Sequence, residues 1–243
     1  MGNGTERSDD AQDPRGARAR KLARAQTFAT GLTVIAVVVA LVSLFGPQPN
    51  DTLLALLVAV PLLSILFVIA WRNLFRIGLG TGSAHANLAA ASAVAGCALF
   101  ARTLLDLNLV SWLPLTAFAG SVTVVFLITA VRRETNLRRR WWRLLAAGVI
   151  TGAYAFGVLG QFNQRLDRSP QSTLRSRVLD RHLGRSRIAS YHVTLAPWGP
   201  FTNASDATVQ QDLYDRLQTG DAVCLRLHDG AFGMAWFTVM ACR

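Results

Sequence analysis

Residues 53–71, LLALLVAVPLLSILFVIAW, form an uninterrupted apolar segment that decides the class of this protein. The segment contains no Asp, Glu, Lys or Arg, and its 19 residues come close to the ~20 that an α-helix needs to cross the hydrocarbon core of a bilayer. Four further segments share both properties, and the five together comprise 99 of the 243 residues. The other four are residues 27–46, 84–101, 109–131 and 144–162. The sequence therefore predicts a membrane protein with five spans.

Composition and chain length support this class and bound the rest of the chain. A hydrophobic fraction of 51% comes with only 16% charged residues, whereas soluble domains carry about 25%. A soluble globule, a fibrous chain and a disordered chain are thereby excluded. About 81 residues follow the last span, which suffices for a small separate domain. We predict a five-helix transmembrane α bundle (residues 27–162) followed by a small β-rich (α+β) extracytoplasmic domain (residues 163–243).

Lys and Arg residues are distributed very unequally between the two ends of the predicted spans. The N-terminal segment and the second and fourth loops between spans hold 14 of them, while the first and third loops hold one, Arg102. Because basic residues near span ends are retained in the cytoplasm, we predict a cytoplasmic N-terminus and a periplasmic or extracellular C-terminus. The net charge of +11 thus follows the membrane topology, and no nucleic-acid partner is predicted.

The first 26 residues are predicted to be a disordered, basic cytoplasmic tail. They are polar, unlike a cleavable signal peptide, in which an apolar core follows a short basic region. The basic half of the tail is expected to lie on anionic lipid. Of the 25 basic residues 24 are Arg, and Ala is abundant, which is typical of GC-rich bacterial genomes. The expected location is therefore the bacterial cytoplasmic (inner) membrane.

Residues 132–143, RRETNLRRRWWR, are the densest basic segment of the predicted cytoplasmic face. Arg and Trp together favour the interface of a membrane that contains anionic lipid. We predict that four arginines of this segment contact such lipid, with docking of a cytoplasmic partner as the alternative. They are Arg138, Arg139, Arg140 and Arg143.

The predicted spans hold few residues that could form a site. Ionisable side chains at membrane depth usually mark transport paths, and the predicted spans contain none at depth, with His85 only one residue into the third span, which disfavours proton-coupled transport. Gly148 and Gly152 form a Gly-x-x-x-Gly pair, which indicates close packing within the bundle or self-association. The alternative function is a membrane-bound enzyme or small-solute carrier whose site lies between the third and fifth spans, near His85, Asn87 and Tyr154.

Residues 163–243 change from long apolar runs to short alternating ones, the pattern of β-strands. The predicted elements are a hairpin over residues 175–195, a short helix over residues 209–217 and a hairpin over residues 221–240. A domain of this size has a modest core. Contact with the membrane or with a second subunit would therefore help to stabilise it.

Cys224 and Cys242 both lie in this domain, where an oxidising compartment permits a disulfide. The Asp-Gly pair at 229–230 predicts a type I′ turn of two residues, which would place residue 224 opposite residue 235. A disulfide would then require either that the return strand bends at Gly233, where a bulge is expected, or that Cys242 reaches back from another strand. The disulfide and two free thiols both remain open at this stage.

No catalytic, cofactor or metal site is predicted. His182, His192 and His228 lack the close spacing of metal ligands. The sequence also contains no nucleophile elbow and no glycine loop that would cradle a phosphate. We therefore predict that the protein is not an enzyme.

The C-terminal domain is better explained by interaction with another protein or by a structural role in the envelope. Four aromatic residues form the predicted interaction surface. They are Trp198, Phe201, Tyr214 and Trp236. The alternative for Tyr214 and Trp236 is a place in the core of the domain.

The end of the chain carries a recurring arrangement of turn and strand residues. Gly220-Asp221-x-Val223 is followed by Asp229-Gly230, by Gly233 and by Trp236. This arrangement resembles the small extracytoplasmic β domains that many uncharacterised bacterial polytopic inner-membrane proteins carry on a helical anchor. The resemblance covers roughly the last 60 residues. It implies an architecture, with no catalytic residues to carry over.

Overall fold

The computed structural model describes residues 14–46, 51–71, 74–76, 86–133, 141–184 and 190–242. In these ranges, five long helices precede an antiparallel sheet domain. The helices are α1 Pro14–Phe45, α2 Asp51–Ala70, α3 Ala89–Asp106, α4 Leu113–Arg133 and α5 Trp141–Arg165. Each of them is long and apolar enough to cross a membrane. The predicted helical bundle followed by a β-rich domain is confirmed.

Helix α1 begins 13 residues before the first predicted span. Pro14 suits the first turn of a helix, because the N–H that proline lacks would have no partner there. The Arg, Ala, Lys and Leu residues that follow are strong helix formers. Residues 14–26 are therefore helical rather than a disordered tail, and the rest of the predicted tail, residues 1–13, lies outside the described residues.

Helix α3 ends at Asp106, five residues after the predicted end of the third span. Arg102, which the sequence pattern placed in a loop, is therefore part of the helix and only 6% exposed. Its Nε lies 2.8 Å from Asp106 Oδ2, at an angle outside that of a hydrogen bond, so the contact is an ion pair. The bundle thus contains a buried arginine, paired with a half-buried aspartate, that the sequence pattern did not predict.

Small residues allow α3 and α5 to pack at very short range. A Cβ added at Gly157 would lie 2.6 Å from Leu99 Cβ and 2.7 Å from the Leu99 carbonyl carbon. One at Gly160 would lie 2.5 Å from Thr103 Cγ2, and Thr103 Oγ1 donates a hydrogen bond to the Gly157 carbonyl at 3.2 Å. Close approach of helix backbones through small residues is the usual packing mode in lipid.

The predicted Gly-x-x-x-Gly pair faces a different helix of the same chain. A Cβ added at Gly148 would lie 3.3 Å from Leu127 Cδ1, and one at Gly152 would lie 3.2 Å from Thr123 Oγ1, both on α4. Helix α5 therefore uses two sets of glycines, one against α4 and one against α3. The predicted packing of Gly148 and Gly152 within the bundle agrees with this arrangement.

The strands within the described residues form two sheets. A two-stranded parallel sheet pairs β1 (Phe75–Arg76) with β2 (Ala86–Asn87). The larger sheet is antiparallel and has the order β3-β8-β7-β4-β5-β6. Its strands are β3 Asn108–Leu109, β4 Ser172–Leu183, β5 Tyr191–Leu195, β6 Ser205–Val209, β7 Ala222–His228 and β8 Trp236–Ala241, with the short helix α6 (Gln211–Arg216) between β6 and β7.

Strand β4 makes the larger sheet curve into a partly open barrel. Its 12 residues pair with β7 over the first half and with β5 over the second half, with an irregularity between Val178 and Asp180. Irregularities of this kind bend a strand and increase its twist. The side chains inside the curve form the core of the domain, in which Val178, Leu225 and Phe237 are almost completely buried.

Both predicted hairpins are confirmed, because β4 pairs with β5 and β7 pairs with β8. The predicted two-residue turn is wrong: His228 pairs with Trp236, so seven residues, 229–235, connect β7 to β8. Gly233 lies in this connection, with φ +71°, rather than in a strand bulge. The sequence reading also missed β6, whose first residues it assigned to a loop, and it missed β3.

Candidate functional site

The sheet domain sits on one end of the helical bundle, which we call the sheet end, and the opposite end is the far end. The contact at the sheet end is built from residues 163–169, at and after the end of α5, and from the β7–β8 connection, residues 229–235. We call these two segments the junction. The four last carbonyl groups of any helix lack partners within the helix, and one of those at the end of α5 accepts a hydrogen bond from the β7–β8 connection.

Asn163 is the centre of the junction and is completely buried. Its Nδ2 donates to the Met234 carbonyl at 2.7 Å, and its Oδ1 accepts from the Phe232 N–H at 3.0 Å. Its main-chain carbonyl, one of those left free at the helix end, accepts from the Ala231 N–H at 3.0 Å. One residue thereby holds three groups of the connection against the end of α5.

Asp167 forms the second centre, and its side chain is 2% exposed. Its Oδ2 accepts from Trp236 Nε1 at 2.7 Å and from the Gly230 N–H at 3.0 Å, while its Oδ1 accepts from the Ser169 N–H at 2.8 Å. Burial acts to raise the pKa of Asp167, but the hydrogen bonds to Ser169, Trp236 and Gly230 outweigh burial and hold the pKa below its ordinary value. The carboxylate form is therefore the one that the junction binds.

Acid should weaken the junction through Asp167. A group whose pKa is lower in the folded state contributes stability above its unfolded pKa, near 3.8, and loses it as the pH falls through the folded value. We expect Asp167→Asn to lower stability at neutral pH and to remove part of the loss below about pH 4. Acid titrations followed by the Trp236 indole N–H resonance will measure this. Asp215→Asn, at an exposed position, is the control, and an equal effect there would contradict the assignment.

Asn108 connects the α3–α4 loop to both edges of the sheet domain. In the sheet, Asn108 pairs with Phe237 of β8. Its Nδ2 donates to the Thr208 carbonyl at 2.9 Å and its Oδ1 accepts from the Thr208 N–H at 2.8 Å. The side-chain carboxamide therefore bonds to the main chain of β6 as a neighbouring strand would. It bridges the gap between β3 and β6, the two edge strands of the barrel.

Cys224 and Cys242 form a disulfide in the structure, with 5.0 Å between their Cα atoms. The longer β7–β8 connection explains how they meet. Cys224 pairs with Met240, so Cys242 lies two residues from the position directly opposite, within diagonal reach across a strand pair. Neither a bend at Gly233 nor a reach from another strand is needed.

Reduction of this disulfide should destabilise the domain. The closed loop of 17 intervening residues corresponds to about 3 kcal/mol in the chain-entropy description. We expect reductant, or the pair Cys224→Ser and Cys242→Ser, to lower the free energy of unfolding by this amount. Cys97→Ser is the matched control, since Cys97 is unbonded and exposed. Mass spectrometry that finds both thiols free in protein purified without reductant would contradict the bond.

The structure does not place the four predicted interaction residues together on a surface. Trp198 is 4% exposed and packs in the barrel core, where its ring lies 4.7 Å from that of Phe237. Phe201 and Tyr214 are half-buried against the same core. Trp236 is buried under the junction, with His228 stacked on it at 4.1 Å. These rings stabilise the folded domain, because burying the large apolar surface of an aromatic side chain is favourable.

A different surface lies where the β4–β5 hairpin meets α6. Arg181 Nη2 donates to the Tyr214 carbonyl at 2.6 Å, and its guanidinium lies 4.3 Å from the centre of the Tyr214 ring. Tyr191 pairs with Leu183 across the strands and contacts Tyr214, with 5.2 Å between ring centres. Leu183 is 59% exposed. We call these four residues the hairpin face, and Tyr214 is its one member among the residues predicted from sequence.

The predicted lipid contacts fall largely outside the described residues. Arg138, Arg139 and Arg140 lie there. Arg143 is described, at the start of α5, and its guanidinium lies 5.4 Å from the centre of the Trp142 ring. Its neighbours Trp141 and Trp142 are exposed at the far end of the bundle.

The alternative site between the third and fifth spans is not assembled in the described residues. His85 lies outside them. Asn87 lies next to the start of α3, where its Oδ1 accepts from the Ala89 N–H. Tyr154 lies in the middle of α5 and donates from its hydroxyl to the Val58 carbonyl on α2 at 2.9 Å. Tyr154 therefore ties two helices together, as a packing residue does.

Two histidines on the paired strands β4 and β5 come together on the outside of the barrel. The rings of His182 and His192 stack at 5.4 Å, and Ser190 Oγ lies 3.0 Å from His192 Nε2. Burial and the neighbouring His182 lower the pKa of His192, while Asp206 acts to raise it. Within the described ranges, no group of three or more His, Cys, Asp or Glu residues could hold a metal ion.

The residues of the junction were missed by the sequence reading. An Asn and an Asp directly after an apolar span are the only local signal, and they equally fit an exposed linker. Compared with known protein families, with curated proteins and with solved structures, the chain finds no match.

Proposed function

We propose that this protein spans the bacterial inner membrane five times, with its N-terminus in the cytoplasm, and presents the barrel on the outer side for contact with a partner protein of the envelope. The observation that carries this proposal is the attachment of the barrel to the bundle, through the junction and through Asn108. Asn163, Asp167 and Asn108 fix the barrel to two separate places on the bundle. A rigid mount of this kind suits a domain that must be held in a set orientation above a membrane.

The surface of the helices supports insertion in a membrane. Large apolar side chains point outward along them, including Val34 on α1, Leu66 on α2 and Val125 on α4, each at least 57% exposed. Apolar patches of this extent are rare on soluble proteins. Exposed Trp112 lies near the sheet end and exposed Trp141 at the far end, where tryptophans favour the two membrane interfaces.

The hairpin face supports a role in contacting another protein. Beyond Val178, β4 pairs with β5 alone among the described strands, so its other edge is open at residues 179–183. Open strand edges accept an added strand from a partner. The exposed Leu183, next to Tyr191, would supply the apolar contact that accompanies such pairing.

Reporter fusions test the orientation. A periplasm-active reporter fused after residue 242 should be active, and the same reporter fused after residue 138 should be inactive, because fourteen basic residues retain one side in the cytoplasm. A cytoplasm-active reporter should give the reverse result at both positions. The opposite pattern would overturn the proposed presentation of the barrel.

Site-specific photo-crosslinking tests the contact. A photoreactive residue at Leu183 in the full-length protein, irradiated in native membranes, should form one discrete adduct with a second protein. Gln218, which is exposed elsewhere on the domain, is the control position. Identical adducts at both positions, or no adduct at Leu183, would contradict a partner at the hairpin face.

A further inference from the structure

A groove lies at the far end of the bundle, between residues 21–28 of α1 and the end of α2. It has a volume of about 270 Å³ and is lined largely by aromatic rings. The ring of Phe67 is the centre of this lining, because it contacts Phe28 at 4.9 Å, Trp71 at 5.3 Å and Phe75 at 5.7 Å between ring centres. The groove has open access, since Phe28 is 43% exposed and Trp71 is 51% exposed.

Two cations line the same groove. Lys21 and Arg24 are exposed, and they are the charged residues that line it among those the structure describes. Residues spaced by three, four and seven share one face of a helix, so Lys21, Arg24 and Phe28 follow one another along α1. The seven-residue step from Lys21 to Phe28 corresponds to roughly 10 Å along the helix axis.

The order of these groups matches the cross-section of a membrane leaflet. The polar layer on each side of a bilayer is roughly 5–8 Å thick and adjoins the hydrocarbon core. In α1, the two cations precede the uncharged segment, residues 27–46, and Phe28 lies at the start of it. A ligand bound here would place negative charge at Lys21 and Arg24 and apolar chain against the aromatic rings.

We propose that this groove binds one anionic phospholipid, with its phosphate at Lys21 and Arg24 and the first part of its acyl chains against Phe28, Phe67 and Trp71. Basic pockets between transmembrane helices are known to take lipid headgroups. A free phosphate would satisfy the cations but would leave the exposed rings of Phe28 and Trp71 uncovered. This inference rests on the proposed membrane insertion, and it is independent of orientation and of the hairpin face.

Native mass spectrometry of the full-length protein tests the site. The protein in detergent micelles is titrated with dioleoylphosphatidylglycerol, and the population with one bound lipid is measured. The double variant Lys21→Gln/Arg24→Gln should bind about 30-fold more weakly, which is the equivalent of about 1 kcal/mol for each of the two charges. Phe28→Ala should also weaken binding of the lipid.

A matched variant separates the groove from diffuse surface charge. Arg18→Gln/Arg20→Gln removes the same charge from exposed residues of α1 that do not line the groove, and it should bind the lipid almost as tightly as the unmodified protein. Equal weakening in both double variants would overturn the site. So would equally tight binding of dioleoylphosphatidylcholine, or displacement of the lipid by an equal concentration of glycerol 3-phosphate, which would assign the cations to a soluble phosphate.

The two proposals can fail separately. Lipid binding in micelles does not depend on which side of a membrane the helix ends face, so reversed reporter results would leave the lipid result standing. Loss of the lipid site would in turn leave the reporter and crosslinking results unchanged.

Discussion

Asn163→Ala should lower the free energy of unfolding of the full-length protein by about 1.5–4.5 kcal/mol, because it leaves two main-chain groups without the carboxamide. One of them is buried and costs about 1–3 kcal/mol when unpaired, and the other loses a part-buried hydrogen bond worth about 0.5–1.5 kcal/mol. The two groups are the Phe232 N–H and the Met234 carbonyl. Asn163 is completely buried, so water cannot replace the lost carboxamide without entering the junction. Thermal unfolding in detergent micelles will measure the change.

Hydrogen exchange should show where the damage from Asn163→Ala occurs. The amide of Phe232 should lose its protection first, because its acceptor is the deleted side chain. The amide of Ala231 should follow to a smaller extent, since its acceptor is the main-chain carbonyl of residue 163, which remains. Asn203→Ala, at an exposed position, is the matched control and should change neither amide. Unchanged exchange at Phe232 would contradict the role given to Asn163.

Gly157→Ala should be the most damaging small substitution in the helical bundle, at about 3 kcal/mol or more. The added methyl would meet Leu99 Cβ at 2.6 Å, the Leu99 carbonyl carbon at 2.7 Å and the Phe100 nitrogen at 2.8 Å. Two of these atoms belong to the main chain of α3, so no change of side-chain rotamer can remove the clash. Overpacking of this kind typically costs about 1–3 kcal/mol, and more where the backbone must shift.

Gly120→Ala is the matched control for Gly157→Ala. Both glycines lie within long helices, but a Cβ at Gly120 would have no neighbour within 4 Å. In the absence of a clash, alanine favours a helix over glycine by about 0.8–1.0 kcal/mol. We therefore expect Gly120→Ala to leave the thermal unfolding temperature in micelles equal or slightly raised. A similar loss in both variants would show that the α3–α5 contact is not the cause.

The helical part of the fold could be predicted because its signal is local. A run such as residues 53–71 contains its own evidence, since length and the absence of charge decide whether a helix can cross a bilayer. The ends of the helices were less predictable, as α1 and α3 show. Residues 14–26 and Arg102 are largely polar, but polar residues can continue a helix. In α1 they have high helix propensity, and in α3 Arg102 forms an ion pair with Asp106 one turn later.

The junction could not be predicted because its signal is distributed along the chain. The Asp-Gly pair at 229–230 is a strong local indication of a short turn, yet the connection runs to residue 235. The local preference for a short turn is overridden here by hydrogen bonds that main-chain N–H groups of the connection donate to Asn163 and Asp167, which lie more than sixty residues earlier. For a related reason the sequence left the place of Trp236 open between surface and core, since a Trp in a short strand gives no sign of whether it faces the core.

The attachment of the barrel at Asn108 has a mechanical consequence. A domain tethered only through the end of α5 could swivel about that one segment. Here a second tether runs from the α3–α4 loop into both edges of the sheet, through β3 and through the Asn108 carboxamide on Thr208. A force applied to the barrel is therefore shared between the α5 terminus and the α3–α4 loop. Any tilt of the barrel must therefore be accompanied by movement of those helices, so a force on the barrel is transmitted to the bundle.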